Sequence, residues 1–273
     1  NLDASMVGTI FHEVMQSLYT SEEAMSPDFF FGSPGAGRVG TPFKYITVAY
    51  IEEWLNREDD IRAKVHALIE RSLNVMEVTG RDLVVTDVIV RYVMKTLESD
   101  LQLLKDAGKD KFEILGRELN VKGTFHGFAF KGFIDRLDAF GPDEVRVVDY
   151  KTGVVTDDEI FINDKNAANI AKKIFMQDVK SRPKIALQFY IYDMLLQGRE
   201  DMRGRNIYNC VYSTVRLFKE LPESLPVNTR FYDAVTGYLE ELLDQMCDPE
   251  VGFRRTTTEE VCENCQFKSI CGK

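Results

Sequence analysis

Asp149 and Lys151 stand two apart in Val147-Val148-Asp149-Tyr150-Lys151-Thr152-Gly153, and a second acid, Asp135, lies upstream in Gly132-Phe133-Ile134-Asp135-Arg136-Leu137-Asp138. Gly141 and Pro142 mark a turn between these two runs of strand-like alternation, so the runs are expected to pair as a hairpin. Side chains two apart on a strand project from one face, so Asp149 and Lys151 should look into one pocket beside Asp135. Two carboxylates there can hold Mg²⁺ or Mn²⁺ through hard oxygen ligands. The ammonium can orient or deprotonate an attacking water and offset charge building on a phosphate. The chemistry on offer is metal-assisted hydrolysis of a phosphate ester.

The elements that must position these groups follow from periodicity. Val7, Ile10, Phe11, Val14, Met15 and Leu18 recur at helical spacing over 7–19, with His12 beside the stripe. The Gly-, Pro- and Phe-rich stretch 27–45 reads as a loop, and two long helical patterns follow at about 46–72 and 84–106. From Lys111 the period changes to two. Strands are expected at Phe112–Val121, Thr124–Phe130, Gly132–Phe140 and Glu144–Tyr150. A basic helical segment, a helix at 183–198 after Pro183, a strand at about 205–213, a helix at 230–247 and a Cys-bearing tail complete the chain.

A chain of 273 residues with 44% apolar content can bury a sizeable core. Charges break its apolar runs well short of the roughly 20 residues a membrane span needs. The N-terminus lacks a basic region followed by an apolar core, so a soluble, cytoplasmic protein without membrane contact is expected. The helical pattern begins almost at once after Asn1, as in a piece of a longer polypeptide. A formal charge of −10 argues against a protein that coats nucleic acid through bulk electrostatics, but does not exclude a local basic groove. The stretch 164–184 carries Lys165, Lys172, Lys173, Lys180, Arg182 and Lys184 against Asp164 and Asp178. It can track a phosphate backbone, or simply be a solvated helix face.

Further motifs fall in a recognisable order: Gly8-Thr9-Ile10-Phe11-His12, then Gly132 to Asp138, then Asp149 to Gly153, then Gln188 and Tyr192 at i and i+4. This order resembles the RecB-like branch of the PD-(D/E)XK nuclease superfamily, the RecB/AddB-type exonuclease domain, over residues 7–19 and 112–198. The resemblance implies an α/β fold: a central mixed β-sheet flanked by helices, the restriction-endonuclease-like core. Residues 1–273 would form one domain, with 46–106 a helical insertion beside the entrance and 248–273 a Cys-containing tail. It implies Asp135, Asp149 and Lys151 as catalytic residues, Glu118 as a further acid, and His12 as a metal ligand with Asp135 and Asp149. Gln188, Tyr192, Arg136, Lys172 and Lys173 are the corresponding DNA-binding or positioning residues. The activity implied is a Mg²⁺- or Mn²⁺-dependent deoxyribonuclease, an exonuclease favoured, acting on DNA ends or single strands in recombination and repair. A helicase domain or subunit is the partner such proteins keep. Two other readings stay open, a non-catalytic DNA-end-binding subunit and a hydrolase of small phosphate esters.

Cys262, Cys265 and Cys271 form a tight cluster near the C-terminus, a spacing suited to metal ligation in a reducing compartment. The resemblance implies a [4Fe–4S] cluster held by three such cysteines and one upstream. No Cys precedes Cys210, so the fourth ligand would be Cys210, Cys247 or a residue outside this chain; zinc with a non-Cys ligand, or no metal in this form, are the alternatives. Gly35-Ala36-Gly37-Arg38-Val39-Gly40 fits a dinucleotide pattern, but Thr41-Pro42 follows where a helix should begin, and a surface loop is expected. His66 and His126 have no partners at metal-ligand spacing and read as structural.

Overall fold

The alternation that starts at Lys111 builds one long hairpin. A computed structural model of the chain describes residues 2–20, 44–176, 181–252, 256, 258–263 and 265–272. In it β2 runs Lys111–Phe125 and β3 runs Phe128–Ala139, paired antiparallel down to Phe125 opposite Phe128. The break expected between Val121 and Thr124 does not occur. The chain turns instead at His126 and Gly127, both at positive φ (49° and 80°), the backbone a two-residue hairpin needs. Gly123 is a packing glycine: a Cβ there would lie 2.8 Å from Leu195 Cδ2. The break expected between Phe130 and Gly132 is likewise absent, because Gly132 sits within β3 for the same reason.

The sheet has six strands among the described residues, in the order β1-β2-β3-β4-β5-β6, with β1 at Tyr45–Thr47, β4 at Glu144–Lys151, β5 at Asn206–Ser213 and β6 at Ser224–Pro226. All neighbours are antiparallel except β4 and β5, which run parallel from Glu144 opposite Asn206 to Lys151 opposite Ser213. Parallel neighbours need a crossover. It is supplied by α5 (Asp157–Ile160), α6 (Ala167–Phe175) and α7 (Lys184–Gln197), with Pro183 as the N-cap of α7.

Each face of the sheet has its own helices. Helix α1 (Ala4–Leu18) starts where Asp3 accepts a hydrogen bond from the Met6 N–H at 2.8 Å. It shares a core with α2 (Val48–Leu55), α3 (Glu58–Leu73) and α4 (Arg81–Asp106) over Val148, Tyr150, Cys210 and Tyr212. The expected single helix over 46–72 is thus a short strand and two helices, interrupted at Asn56 and Arg57 with no Gly or Pro to announce it. On the other face α7 packs over Val145, Val147 and Val211. Helix α8 (Thr229–Cys247) packs with α6 through Phe231, Val235, Leu239 and Leu243. The last helix, α9, spans Glu259–Cys262. The Gly35–Gly40 pattern, Lys180 and most of the expected 27–45 loop lie outside the described residues. No helix among the described residues is long and apolar enough to cross a membrane.

Candidate active site

The site forms where the ends of β3 and β4 meet α1 and α7. Odd residues of β4 face α7: Val145 and Val147 pack there, and Asp149 and Lys151 continue the row. Across the ladder Arg136 pairs with Val148, which sets Asp135 beside Asp149. The Asp135 carboxylate accepts the Tyr150 N–H at 2.7 Å through Oδ2, leaving Oδ1 3.5 Å from His12 Nδ1.

Glu118 joins them from β2. Arg117 faces Arg136 and Leu119 faces Ile134, so Glu118 stands opposite Asp135. Its φ of 42° lies in the left-handed region that a side chain other than glycine rarely adopts, and a bulge between Ile114 and Gly116 precedes it. That local strain sits at the cluster where ligand atoms of His12, Glu118 and Asp135 all lie within 4.8 Å of one another.

These residues fit a divalent cation. His12 Nε2 lies 3.0 Å from the Tyr150 carbonyl, which can only accept, so Nε2 carries the proton and a neutral ring turns the lone pair of Nδ1 towards Asp135 Oδ1. A lone pair facing a carboxylate is stable only with a proton or a metal ion between them. Burial opposes charge on His12, but the hydrogen bond and charge of Asp135 outweigh it and hold the ring above its ordinary 6.5. The acids crowd one another likewise. Burial, then the neighbouring Asp135, pushes Glu118 up to about 7 and Asp149 up to about 6. A bound cation relieves both effects.

Lys151 is held rather than free. Its Nζ lies 2.7 Å from Asp149 Oδ2 and donates to Gln188 Oε1 at 3.1 Å. Gln188 Nε2 donates to Asp149 Oδ1 at 2.9 Å and to the Tyr192 hydroxyl at 2.7 Å, and Tyr192 donates in turn to the Phe133 carbonyl. One amide therefore fixes both halves of the Asp149–Lys151 pair. Two motif glycines make room for this: a Cβ on Gly132 would lie 2.6 Å from Tyr192 Cε1, and one on Gly8 would lie 3.2 Å from Thr152 Oγ1.

The chain belongs to the PD-(D/E)XK nuclease superfamily. The family model matches residues 1–272, almost the whole chain. The mixed sheet with helices on both faces is the restriction-endonuclease-like core of that superfamily. No curated protein sequence matches this superfamily member.

Arg136 is a correction. It was expected among the DNA contacts, but it is 1% exposed and bonded to Asp100, Tyr150 and Tyr212 inside the core, so no phosphate can reach it. Strict alternation already put it on the face opposite Asp135, a signal the motif reading passed over. Tyr192 is 5% exposed and meets Gln188 and a backbone carbonyl, while Gln188 beside it is half-buried. Lys172 is exposed on α6, while Lys173 pairs with Asp158 at 3.0 Å. Among the described residues the sulfurs of Cys262, Cys265 and Cys271 do not all lie within 4.8 Å of one another; Cys262 is buried, Cys265 and Cys271 are exposed, and Cys210 is buried in the sheet. His126 is an ordinary surface residue paired with Asp244. Sequence reading missed Tyr150, whose peptide groups hold two of the ligands.

Proposed function

We propose that this member of the superfamily is a Mg²⁺- or Mn²⁺-dependent deoxyribonuclease of the RecB-like branch, acting as an exonuclease on DNA ends or single strands in recombination or repair. The observation that carries the reading is the convergence of His12, Glu118 and Asp135 within ligand distance, beside an Asp149–Lys151 pair locked by Gln188. His12, Glu118, Asp135 and Asp149 would hold the metal, which when bound lowers the pKa of a water and neutralises charge on the scissile phosphate.

Lys151 supplies the complementary cation. Tied to Asp149 and Gln188, its ammonium keeps one orientation towards the site, so it can hold the attacking water or meet the growing negative charge without reorganising. Gln188 donates to Asp149 and accepts from Lys151, which keeps the carboxylate turned to the same place. Lys172 on the outer face of α6 offers a contact for the phosphate backbone outside the cleavage site. A helicase domain or subunit that delivers unwound strands fits this reading.

The test is degradation of end-labelled linear single- and double-stranded DNA in Mg²⁺ or Mn²⁺, with Lys151→Ala and EDTA as controls. Nucleotides released progressively from ends, and lost in both controls, are the expected result. Cleavage of closed circles at the same rate would overturn the exonuclease assignment. Tight DNA binding with no cleavage under any metal would make the chain a DNA-end-binding subunit instead.

A further inference from the structure

Directly behind the metal site, on the face of the sheet that carries α4, lies a buried polar knot that takes no part in hydrolysis. Arg136 donates from Nη1 to Asp100 Oδ2 at 2.8 Å and from Nη2 to Asp100 Oδ1 at 2.9 Å. The same guanidinium donates to the hydroxyls of Tyr150 at 2.9 Å and Tyr212 at 3.1 Å, and its Nε lies 2.8 Å from Asp138 Oδ2. Tyr212 donates to Asp100 Oδ1 at 2.6 Å, and Tyr19 donates to Oδ2. Asp100 and Arg136 are 0% and 1% exposed.

Removing two charges from water is expensive, so such a pair is poor evidence for a purely stabilising role. Its place in the chain suggests another. Arg136 follows Asp135, and Tyr150 stands between Asp149 and Lys151. Strand alternation thus puts the site on one face and the knot on the other, with Tyr150 belonging to both. Its N–H holds Asp135, its carbonyl holds His12, and its ring meets those of Phe11 and His12 edge-on at 5.6 and 5.8 Å.

We propose that Asp100 and Arg136 are positioning residues of the metal site: they fix the Tyr150 phenol, and through it the peptide groups of Tyr150 that set Asp135 and His12 at ligand distance. The proposal rests on the metal-nuclease reading. It makes the α2–α4 helices part of the metal site, because Asp100 comes from α4 and touches no ligand itself. Loss of such supporting bonds typically costs about 10- to 100-fold in metal affinity. A hydroxyl one step further removed should act at the lower end.

The deciding measurement is Mn²⁺ affinity by calorimetry on the full chain, with thermal unfolding alongside, for the native protein, Tyr150→Phe and Tyr212→Phe. Both variants take one phenol from the same guanidinium, but only Tyr150 carries the main chain that holds the ligands. Mn²⁺ affinity should weaken about tenfold in Tyr150→Phe and stay within about twofold of native in Tyr212→Phe, even though Tyr212→Phe also takes a donor from Asp100 and should lower the melting temperature more. Unchanged affinity in Tyr150→Phe would overturn the proposal, and so would equal weakening in both variants. A native protein that binds no Mn²⁺ would overturn the metal-site reading beneath it, a result distinct from either.

Discussion

Asp193→Asn should stabilise the protein at neutral pH and leave it nearly unchanged at pH 4. Asp193 lies on α7, 2% exposed, with Oδ2 accepting from Asn209 Nδ2 at 2.8 Å and no partner for Oδ1. Burial pushes its carboxyl from the ordinary 3.8 up to about 8, and the Asn209 bond only partly opposes this. A raised carboxyl means that the fold favours the neutral acid. Below about pH 4 both folded and unfolded chains are protonated and nothing is lost. Between 3.8 and about 8 the unfolded state ionises first and gains, so stability falls with rising pH. By pH 7 the gap is about three units at about 1.4 kcal/mol each, an upper bound near 4 kcal/mol. Asn keeps the shape, accepts from Asn209 through its own oxygen and carries no charge. A gain of about 2–4 kcal/mol at pH 7 follows, or about 5 °C or more in melting temperature for a chain of this size. Unfolding curves for both proteins from pH 4.5 to 8.5 would read it out as two lines that meet at low pH and diverge above. A pH-independent difference, or a loss at pH 7, would refute the reasoning. It would mean that the cavity beside Asp193, lined by Asn209, Phe231 and Tyr232, solvates the ionised carboxylate.

Gly132→Ala drives a Cβ to 2.6 Å from Tyr192 Cε1 and should cost about 1–3 kcal/mol of stability. In steady-state kinetics kcat should fall further than the stability loss explains, because Tyr192 anchors Gln188; native kcat at full folding would sink that account. Protons compete with metal for Glu118 and Asp149, raised to about 7 and about 6 by burial and by Asp135, so Mn²⁺ affinity should rise from pH 5.5 to 8 and level off above. Calorimetry at four pH values checks this, and a flat profile contradicts it. Lys172→Ala should weaken DNA binding equally for all sequences and reduce the salt slope by about one, measured by anisotropy across a salt series. An unchanged slope would remove Lys172 from the DNA surface.

The hairpin carrying Asp135, Asp149 and Lys151 was legible in the chain because a strand repeats every two residues and the turn at Gly141-Pro142 lies between two such runs. Helix α1 was legible through its 3.6-residue stripe, with His12 beside it, and α7 through Pro183 at its start, with Gln188 and Tyr192 one turn apart on one face. Local sequence misled where one residue type serves two ends: Gly123 looks like a turn and is a space left for Leu195, whereas the turn itself is made by His126 and Gly127. Glu118 could be nominated but not placed, since its approach to Asp135 depends on ladder register and a left-handed backbone angle. Arg136 looked like a DNA contact because motif order says nothing about depth. Asp100, far along the chain from Tyr150, joins the site's support only once α4 lies on the sheet. Spacing along a strand or helix is fixed by backbone geometry, so the sequence alone determined which groups share a face. Which faces are buried together is set by packing between distant segments, so only the tertiary structure decided what stands behind the site and which charges are sealed from water.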